Sequence, residues 1–351
     1  GANLTIPANA GATYTCTLTN TRKSMQLQLR KTWANATIND AVNIPATTGF
    51  TNNTAVLAST ANTASETDAG AAVTIFAGDA GVLPTESFTT GSAVNYTTTG
   101  WSCADGTNPT ATVAQGGTLT APAVSAGLTI VCTLTNSRGT ANLTLRKSWV
   151  NAALNDAVDF TATGLTTLAS TANTATEVDA AAAQSVNIGA VITLAESFTT
   201  GTASNYTSVL SCTGNATPLA GSVLTVNAAD TNIVCTWTNT RKSTQLVLQK
   251  TWANAKVNDA VSIPATTGFT NNTAVLASTA NTASETDAGT AVTVFAGEVG
   301  VLPTESFTTG LAANYTTTGW SCTDGVLPAV IIAQGANLTI PANAGATYTC
   351  T

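Results

Sequence analysis

The 351-residue chain contains no histidine. That removes the commonest general base and the commonest metal ligand, so imidazole-based triads and metal sites are excluded. Charge is also scarce: 8% of residues are Asp, Glu, Lys or Arg, and both signs are scattered singly around a net charge of −7. Nothing forms a basic stripe for nucleic acid or a polybasic patch for an anionic membrane. No run of about 20 apolar residues is present, so no segment reads as a membrane-spanning helix. Gly1-Ala2-Asn3-Leu4-Thr5 lacks the basic and apolar regions of a signal peptide, so the compartment must be read from the cysteines. Aromatics make up only 5% of the chain, and recurring Thr, Ala and Asn must cover most of the surface.

What the sequence does have is periodicity. A segment of the form LxLxKxW followed by Asn-Asp-Ala-Val occurs at Leu27–Trp33 with Asn39–Val42, Leu143–Trp149 with Asn155–Val158, and Leu246–Trp252 with Asn258–Val261. A Glu-Ser-Phe-Thr-Thr-Gly string begins at Glu86, Glu196 and Glu305. A closing string, CTLTN or CTWTN, begins at Cys16, Cys132 and Cys235, and Cys350-Thr351 opens a further copy. These landmarks recur roughly every 100–115 residues, the size of one small domain. The expected division is residues 1–22 as the terminal strands of a preceding repeat, 23–138 as repeat 1, 139–241 as repeat 2, and 242–351 as repeat 3 without its last residues. Residues 1–17 repeat letter for letter as 335–351, so both ends are expected to be cuts through a longer array. Repeats 1 and 3 are near-copies, since 44–70 is identical to 263–289, whereas repeat 2 has diverged.

Each repeat consists of short alternating runs rich in Val, Thr, Ile and Tyr, such as Ala72–Phe76 and Leu128–Cys132, separated by Gly, Asn and Pro. That pattern predicts tandem all-β, Ig-like β-sandwich domains. The Ala-rich stretch 57–69 carries too many Thr, Ser and Asn residues for a helix and is expected to form loops or edge strands. Only residues 137–142 separate Asn136 from Leu143, so the domains are expected to stand end to end as a stiff rod.

The seven cysteines fall in phase with the repeats. They predict disulfides Cys103–Cys132, Cys212–Cys235 and Cys322–Cys350, and leave Cys16 with a partner outside the chain. Two cysteines per repeat without histidine cannot complete a tetrahedral metal site, so no metal and no cofactor is expected. Each bridge should stabilise its domain by roughly 3–4 kcal/mol. It also places the protein outside the reducing cytosol.

Residues two apart on a strand share one face. Lys31 therefore lines up with Leu27, Leu29 and Trp33, and Lys147 and Lys250 do the same in their repeats. Glu196 shares a face with Ile192, Leu194 and Phe198, with Glu86 and Glu305 in matching places. In the closing strand Asn136 follows Ile130, Cys132 and Leu134, and Asn239 follows Ile233, Cys235 and Trp237. Three polar groups thus recur on apolar faces, where an isolated charge costs several kcal/mol unless it pairs or neutralises.

The order of Lys in the first strand, Glu in a middle strand and Asn in the last resembles the collagen-adhesin B-type, prealbumin-like domains of bacterial surface adhesins and pilins. The resemblance covers every repeat. In the middle one it runs from LTLRK through ITLAESFTTGTASNY to CTWTN. It implies a self-generated intramolecular isopeptide bond, in which a neutral lysine amine attacks the asparagine amide while a protonated glutamate shuttles protons. By position it implies the sets Lys31–Glu86–Asn136 and Lys147–Glu196–Asn239. Lys250–Glu305 would await an asparagine beyond Thr351, and Asn20 would belong to a preceding domain. The family's glutamate box usually closes with Pro-x-Gly-Tyr, where this chain has Thr-Thr-Gly and then Asn-Tyr. Burial lowers a lysine pKa and raises a glutamate pKa, which would supply nucleophile and acid in one apolar pocket. The competing arrangement is a buried Lys–Glu ion pair with asparagine as a hydrogen-bond partner.

Asn-x-Ser/Thr triplets at Asn3, Asn95, Asn142, Asn205, Asn215 and Asn314 arise readily by chance in a chain rich in Asn and Thr. The Asn-Asp-Ala-Val strings and the pairs Glu66/Asp68 and Glu285/Asp287 lack the ligand density of a calcium loop and read as solvated turns. The function expected from all this is a non-enzymatic, extracellular one. It is a structural repeat module of a long bacterial filament, stalk or sheath fibre, or alternatively an adhesin module binding host matrix or glycan through domain-end loops. The implied partners are copies of itself along a fibre and a cell-surface or matrix ligand, with no nucleic acid and no membrane embedding.

Overall fold

The computed structural model describes residues 2–6, 8, 11, 13–108 and 111–351. All of its regular structure is β-strand apart from four three-residue 3-10 turns, at Ala93–Asn95, Ala123–Ser125, Ala203–Asn205 and Ala312–Asn314. No described helix is long and apolar enough to cross a membrane. The chain divides into two compact units, Gly1–Gly139 and Thr140–Thr351.

In the first unit the opening strand, Ser24–Ala34, buries every second side chain, the alternation that one core-facing and one outward face demand. On one side it pairs antiparallel with Glu66–Ala69 and Val73–Phe76. On the other it runs parallel to the closing strand, Thr129–Arg138, with Leu29 opposite Cys132 and Trp33 opposite Asn136. The closing strand continues the sheet to Trp101–Ala104, which pairs with Ala111–Val113. A facing sheet orders Leu57–Thr60, Ala41–Ile44 and Ser87–Thr90. Both sheets contribute to one core that includes Leu27, Leu29, Ile44, Ile75, Trp101 and Leu134. The architecture is an all-β sandwich, and the Ala-rich stretch 57–69 supplies two of its short strands.

The second unit contains repeats 2 and 3. Thr140–Val150 runs parallel to Asn232–Arg241, and Ser243–Trp252 runs parallel to Thr347–Cys350. Separate cores form around Leu143, Phe160 and Leu194 and around Leu246, Ile263 and Leu338. Repeats 2 and 3 lie within one compact unit. Only Lys242 separates their strands, and the junction is bonded: Arg241 Nε donates to the Ala296 carbonyl at 2.8 Å and the Lys242 amide to the Asn205 carbonyl at 2.9 Å.

Two local differences follow from particular residues. Pro84 and Pro303 cannot donate to a ladder, so repeats 1 and 3 have a broken middle strand, Ala80–Val82 then Ser87–Thr90 and Val299–Val301 then Ser306–Thr309. Repeat 2 has Leu194 in that place and a continuous strand, Val191–Thr200. Residues 1–22 were expected to form strands. Residues 1, 7, 9, 10 and 12 lie outside the described residues, and the described ones carry no strand; Leu18 is 89% exposed. A strand exists only through cross-strand pairing, and the described residues of this stretch join no sheet.

Candidate functional site: a buried Lys–Glu–Asn cluster

Lys31 extends from the inward face of the opening strand and is fully buried. Its Nζ lies 2.8 Å from Glu86 Oε2, just ahead of the Ser87–Thr90 strand, and the glutamate side chain is only 5% exposed. In repeat 2 Lys147 Nζ lies 2.7 Å from Glu196 Oε1. In repeat 3 Lys250 Nζ lies 2.8 Å from Glu305 Oε2, in a more open setting where a cavity of about 150 Å³ is bounded by Lys250, Glu305, Trp320 and Thr351.

The asparagines lie beside these pairs. Asn136 and Asn239 are fully buried on the strand that runs parallel to the lysine's own, opposite Trp33 and Trp149, two residues beyond each lysine on the same face. Asn239 Nδ2 donates to Glu196 Oε2 at 2.9 Å, so one carboxylate touches both amine and amide. In repeat 1 neither polar atom of Asn136 has a hydrogen-bond partner. The amine–carboxylate approaches are short, so Lys31 and Lys147 are each held by an ion pair inside the core. Burial pulls both Lys31 and Lys147 down to about 8, against the opposing pull of Glu86 and Glu196. Each lysine is therefore much closer to its neutral, nucleophilic form than an exposed one. Asn20 is exposed and is not brought to any Lys–Glu pair.

An aromatic wall closes the site. Lys31 Nζ sits 5.0 Å from the Trp33 ring and Lys147 Nζ 4.4 Å from the Trp149 ring. Trp33 packs edge-on against Phe88 and Tyr96, and its Nε1 donates to Ser59 Oγ at 2.8 Å, which donates on to Asp68 Oδ2 at 2.6 Å. The same relay recurs at Trp149–Ser170–Asp179 and Trp252–Ser278–Asp287.

The cysteines close the same sheet. Cys103–Cys132, Cys212–Cys235 and Cys322–Cys350 are disulfide-bonded, each between directly opposed residues of antiparallel strands, while Cys16 is free and exposed.

Sequence reasoning missed one recurring group. The aspartate of Asn-Asp-Ala-Val was read as part of a solvated turn, but Asp40 is only 8% exposed and accepts the hydroxyl of Tyr96. Tyr206 donates likewise to Asp156 at 2.6 Å and Tyr315 to Asp259 at 2.7 Å. Glycine closes the pocket: at Gly91, with φ +86°, a Cβ would lie 2.4 Å from Asp40 Oδ1. The recurrence of an Asn-Asp string and a later Asn-Tyr string in all three repeats was the available signal. Glu66 and Glu285 cap the turns at Asn62–Thr63 and Asn281–Thr282 through backbone N–H groups. Among the described residues no three Cys, Asp or Glu side chains converge as a metal site would.

No family model and no curated protein matches this chain. Several solved structures are similar to it at low identity. The Bacillus anthracis TIE protein aligns over 93% of this chain at 12% identity with a TM-score of 0.37, and the chain spans about half (50%) of that protein's length. The major pilin protein T-13 of Streptococcus pyogenes aligns over 63% of this chain and 97% of its own at 13% identity and a TM-score of 0.30. Two B repeat units of the collagen binding protein of Staphylococcus aureus align over 93% of this chain and 73% of their own at 13% identity and a TM-score of 0.22.

Proposed function

We propose that the chain is a structural repeat module of a long extracellular bacterial filament, stalk or sheath fibre. In this reading residues 23–138, 139–241 and 242–351 are its repeating domains, and Lys–Asn isopeptide bonds join the first and last strands of a domain. The observation that carries the reading is the cluster in repeat 2, where Glu196 touches both the Lys147 amine and the Asn239 amide in a buried pocket. A neutral Lys147 Nζ attacks Asn239 Cγ, and Glu196 takes a proton from the attacking nitrogen and returns it to the departing one. The carbon–nitrogen bond of the side-chain amide breaks, ammonia leaves, and a new amide joins Lys147 to Asn239. The reaction is self-directed and happens once, which separates it from enzymatic turnover.

Energetics favour the bond. A buried polar group without a partner costs about 1–3 kcal/mol, and the Asn136 side chain is one such group. Forming the amide removes a buried ammonium and a primary amide together. The disulfides suit an oxidising, extracellular setting. Intact mass spectrometry of the reduced chain tests the reading: a mass lower than the sequence by one ammonia per closed site supports it, and Glu196→Ala should restore one of them. A full sequence mass, with Lys147 open to amine reagents after denaturation, would leave the buried ion pair alone.

A further inference from the structure

Repeats 1 and 2 place their second tryptophan on different strands. In repeat 1 Trp101 lies on the strand next to the closing strand, one step beyond the Thr133–Ser102 pair, and continuing that register sets it against Leu134. Both are fully buried in one core with Ile44. In repeat 2 the pair is reversed: Leu210 stands opposite Trp237. The position of Ile44 is taken there by Phe160, whose ring meets Trp237 edge-on at 5.5 Å. The backbone explains why the indole cannot simply stay put. Trp101 Nε1 donates to the carbonyl of Pro84, in the gap where proline breaks the middle strand, and Trp320 donates likewise to Pro303, both at 2.9 Å. In repeat 2 the corresponding Leu194 lies inside a continuous ladder opposite Ala162, and Leu210 needs no acceptor.

We propose that this Leu/Trp exchange keys each closing strand to its own repeat. The closing strands are otherwise nearly interchangeable, reading CTLTNSR and CTWTNTR, and so are the opening strands they join, LTLRKSW in repeat 2 and LQLRKTW in repeat 1. A Trp237-type strand seated in repeat 1 would face Trp101, and two indoles would contend for one site. A Leu134-type strand seated in repeat 2 would face Leu210 and leave unfilled the space beside Phe160. Repeats 1 and 2 follow one another in the chain and carry opposite arrangements, so exchange between these two neighbours, the characteristic misassembly of tandem domains, is disfavoured at the point of strand insertion.

The test uses the full chain with Trp101→Leu, Leu134→Trp and the two combined. Each single change should speed amide hydrogen exchange across Trp101–Ala104 and Thr129–Arg138 by about tenfold or more, and the double variant should recover most of the protection. Oxidative refolding of the reduced, denatured chain provides a readout that packing alone does not move; it is run in an Asn136→Ala/Asn239→Ala background, which cannot tie opening to closing strand by an amide, with the otherwise wild-type chain of that background as reference. The double variant gives repeat 1 the arrangement of repeat 2, so mispaired Cys103–Cys235 and Cys132–Cys212 bridges should rise several-fold over wild type in peptide maps. The mirror variants Leu210→Trp and Trp237→Leu make the same two predictions in repeat 2 and serve should the first pair not fold. Keying is overturned if neither double variant recovers protection, or if a folded double variant mispairs no more than wild type.

Discussion

Repeats 1 and 2 hold the same lysine, glutamate and asparagine on the same strands, yet only in repeat 2 does the carboxylate reach the asparagine. Asn239 donates to Glu196, whereas neither polar atom of the Asn136 side chain is hydrogen-bonded. The difference lies in the strand beneath the glutamate. Glu196 is embedded in the continuous Val191–Thr200 strand, opposite Phe160, while Glu86 follows Pro84 and precedes the Ser87–Thr90 strand. Glu86 is instead anchored by its backbone N–H, which donates to Gln115 Oε1 at 2.9 Å. One proline therefore changes how the acid is presented without moving the lysine.

The largest expected effect comes from removing that acid. Glu196→Ala leaves Lys147 buried without a counter-charge and should destabilise repeat 2 by about 3–5 kcal/mol. Glu86→Ala should cost repeat 1 about 1 kcal/mol less, because no asparagine hydrogen bond is lost with it. Denaturant titration followed by exchange in each closing strand measures both, and equal losses would erase the distinction between the repeats.

Reducing the disulfides should cost about 3–4 kcal/mol in either repeat. The spans are close, 29 residues for Cys103–Cys132 and 23 for Cys212–Cys235, so the two repeats should lose nearly the same amount. A markedly larger loss in one would show that its cross-link between lysine and asparagine is missing. Exchange in the two closing strands, with and without reductant, reads this directly.

A pH titration separates the bonded from the unbonded state. Where Lys147 remains free, its folded pKa of about 8 lies below the unfolded value of 10.5. The unfolded chain then holds more protons between those values, so stability rises as pH climbs from about 8 to about 10.5, by up to about 3 kcal/mol. Asn239→Ala, which cannot form the amide, should show this rise, and so should Asn136→Ala through Lys31. A chain whose amide has formed should lack it. Identical pH profiles for wild type and both variants would count against bond formation.

The smallest effect probes what the repeats share. Tyr96→Phe and Tyr206→Phe strip a hydroxyl from the buried Asp40 and the half-buried Asp156 and should cost about 1–3 kcal/mol equally in both repeats. Thermal unfolding measures it, and an unequal cost would place the difference between the repeats outside the lysine pocket.

Alternation made part of this legible in the sequence. A period of two, running through Leu27, Leu29, Lys31 and Trp33, gives the lysine a core-facing direction whatever the sheet order. Conversely, nothing local to Asp40 marks it as buried. Its partner Tyr96 is 56 residues away, and the turn signal of Asn39, which sits at φ +73°, reads like any exposed loop. The Trp33–Ser59–Asp68 relay escaped for the same reason, being assembled across three strands by register alone. The Pro84 break was written in the sequence, but its use as an acceptor for Trp101 depends on a strand pairing that composition does not encode.

The parallel pairing of first and last strands also governs how a repeat bears tension. In repeat 2 the chain enters at the start of Thr140–Val150 and leaves at the end of Asn232–Arg241. Pulling on those two ends drags the strands lengthwise past each other. Every rung from Asn142–Asn232 to Val150–Thr240 is then loaded in shear at once, rather than peeled one rung at a time. The geometry converts a ladder of individually weak hydrogen bonds into a single collective barrier to extension.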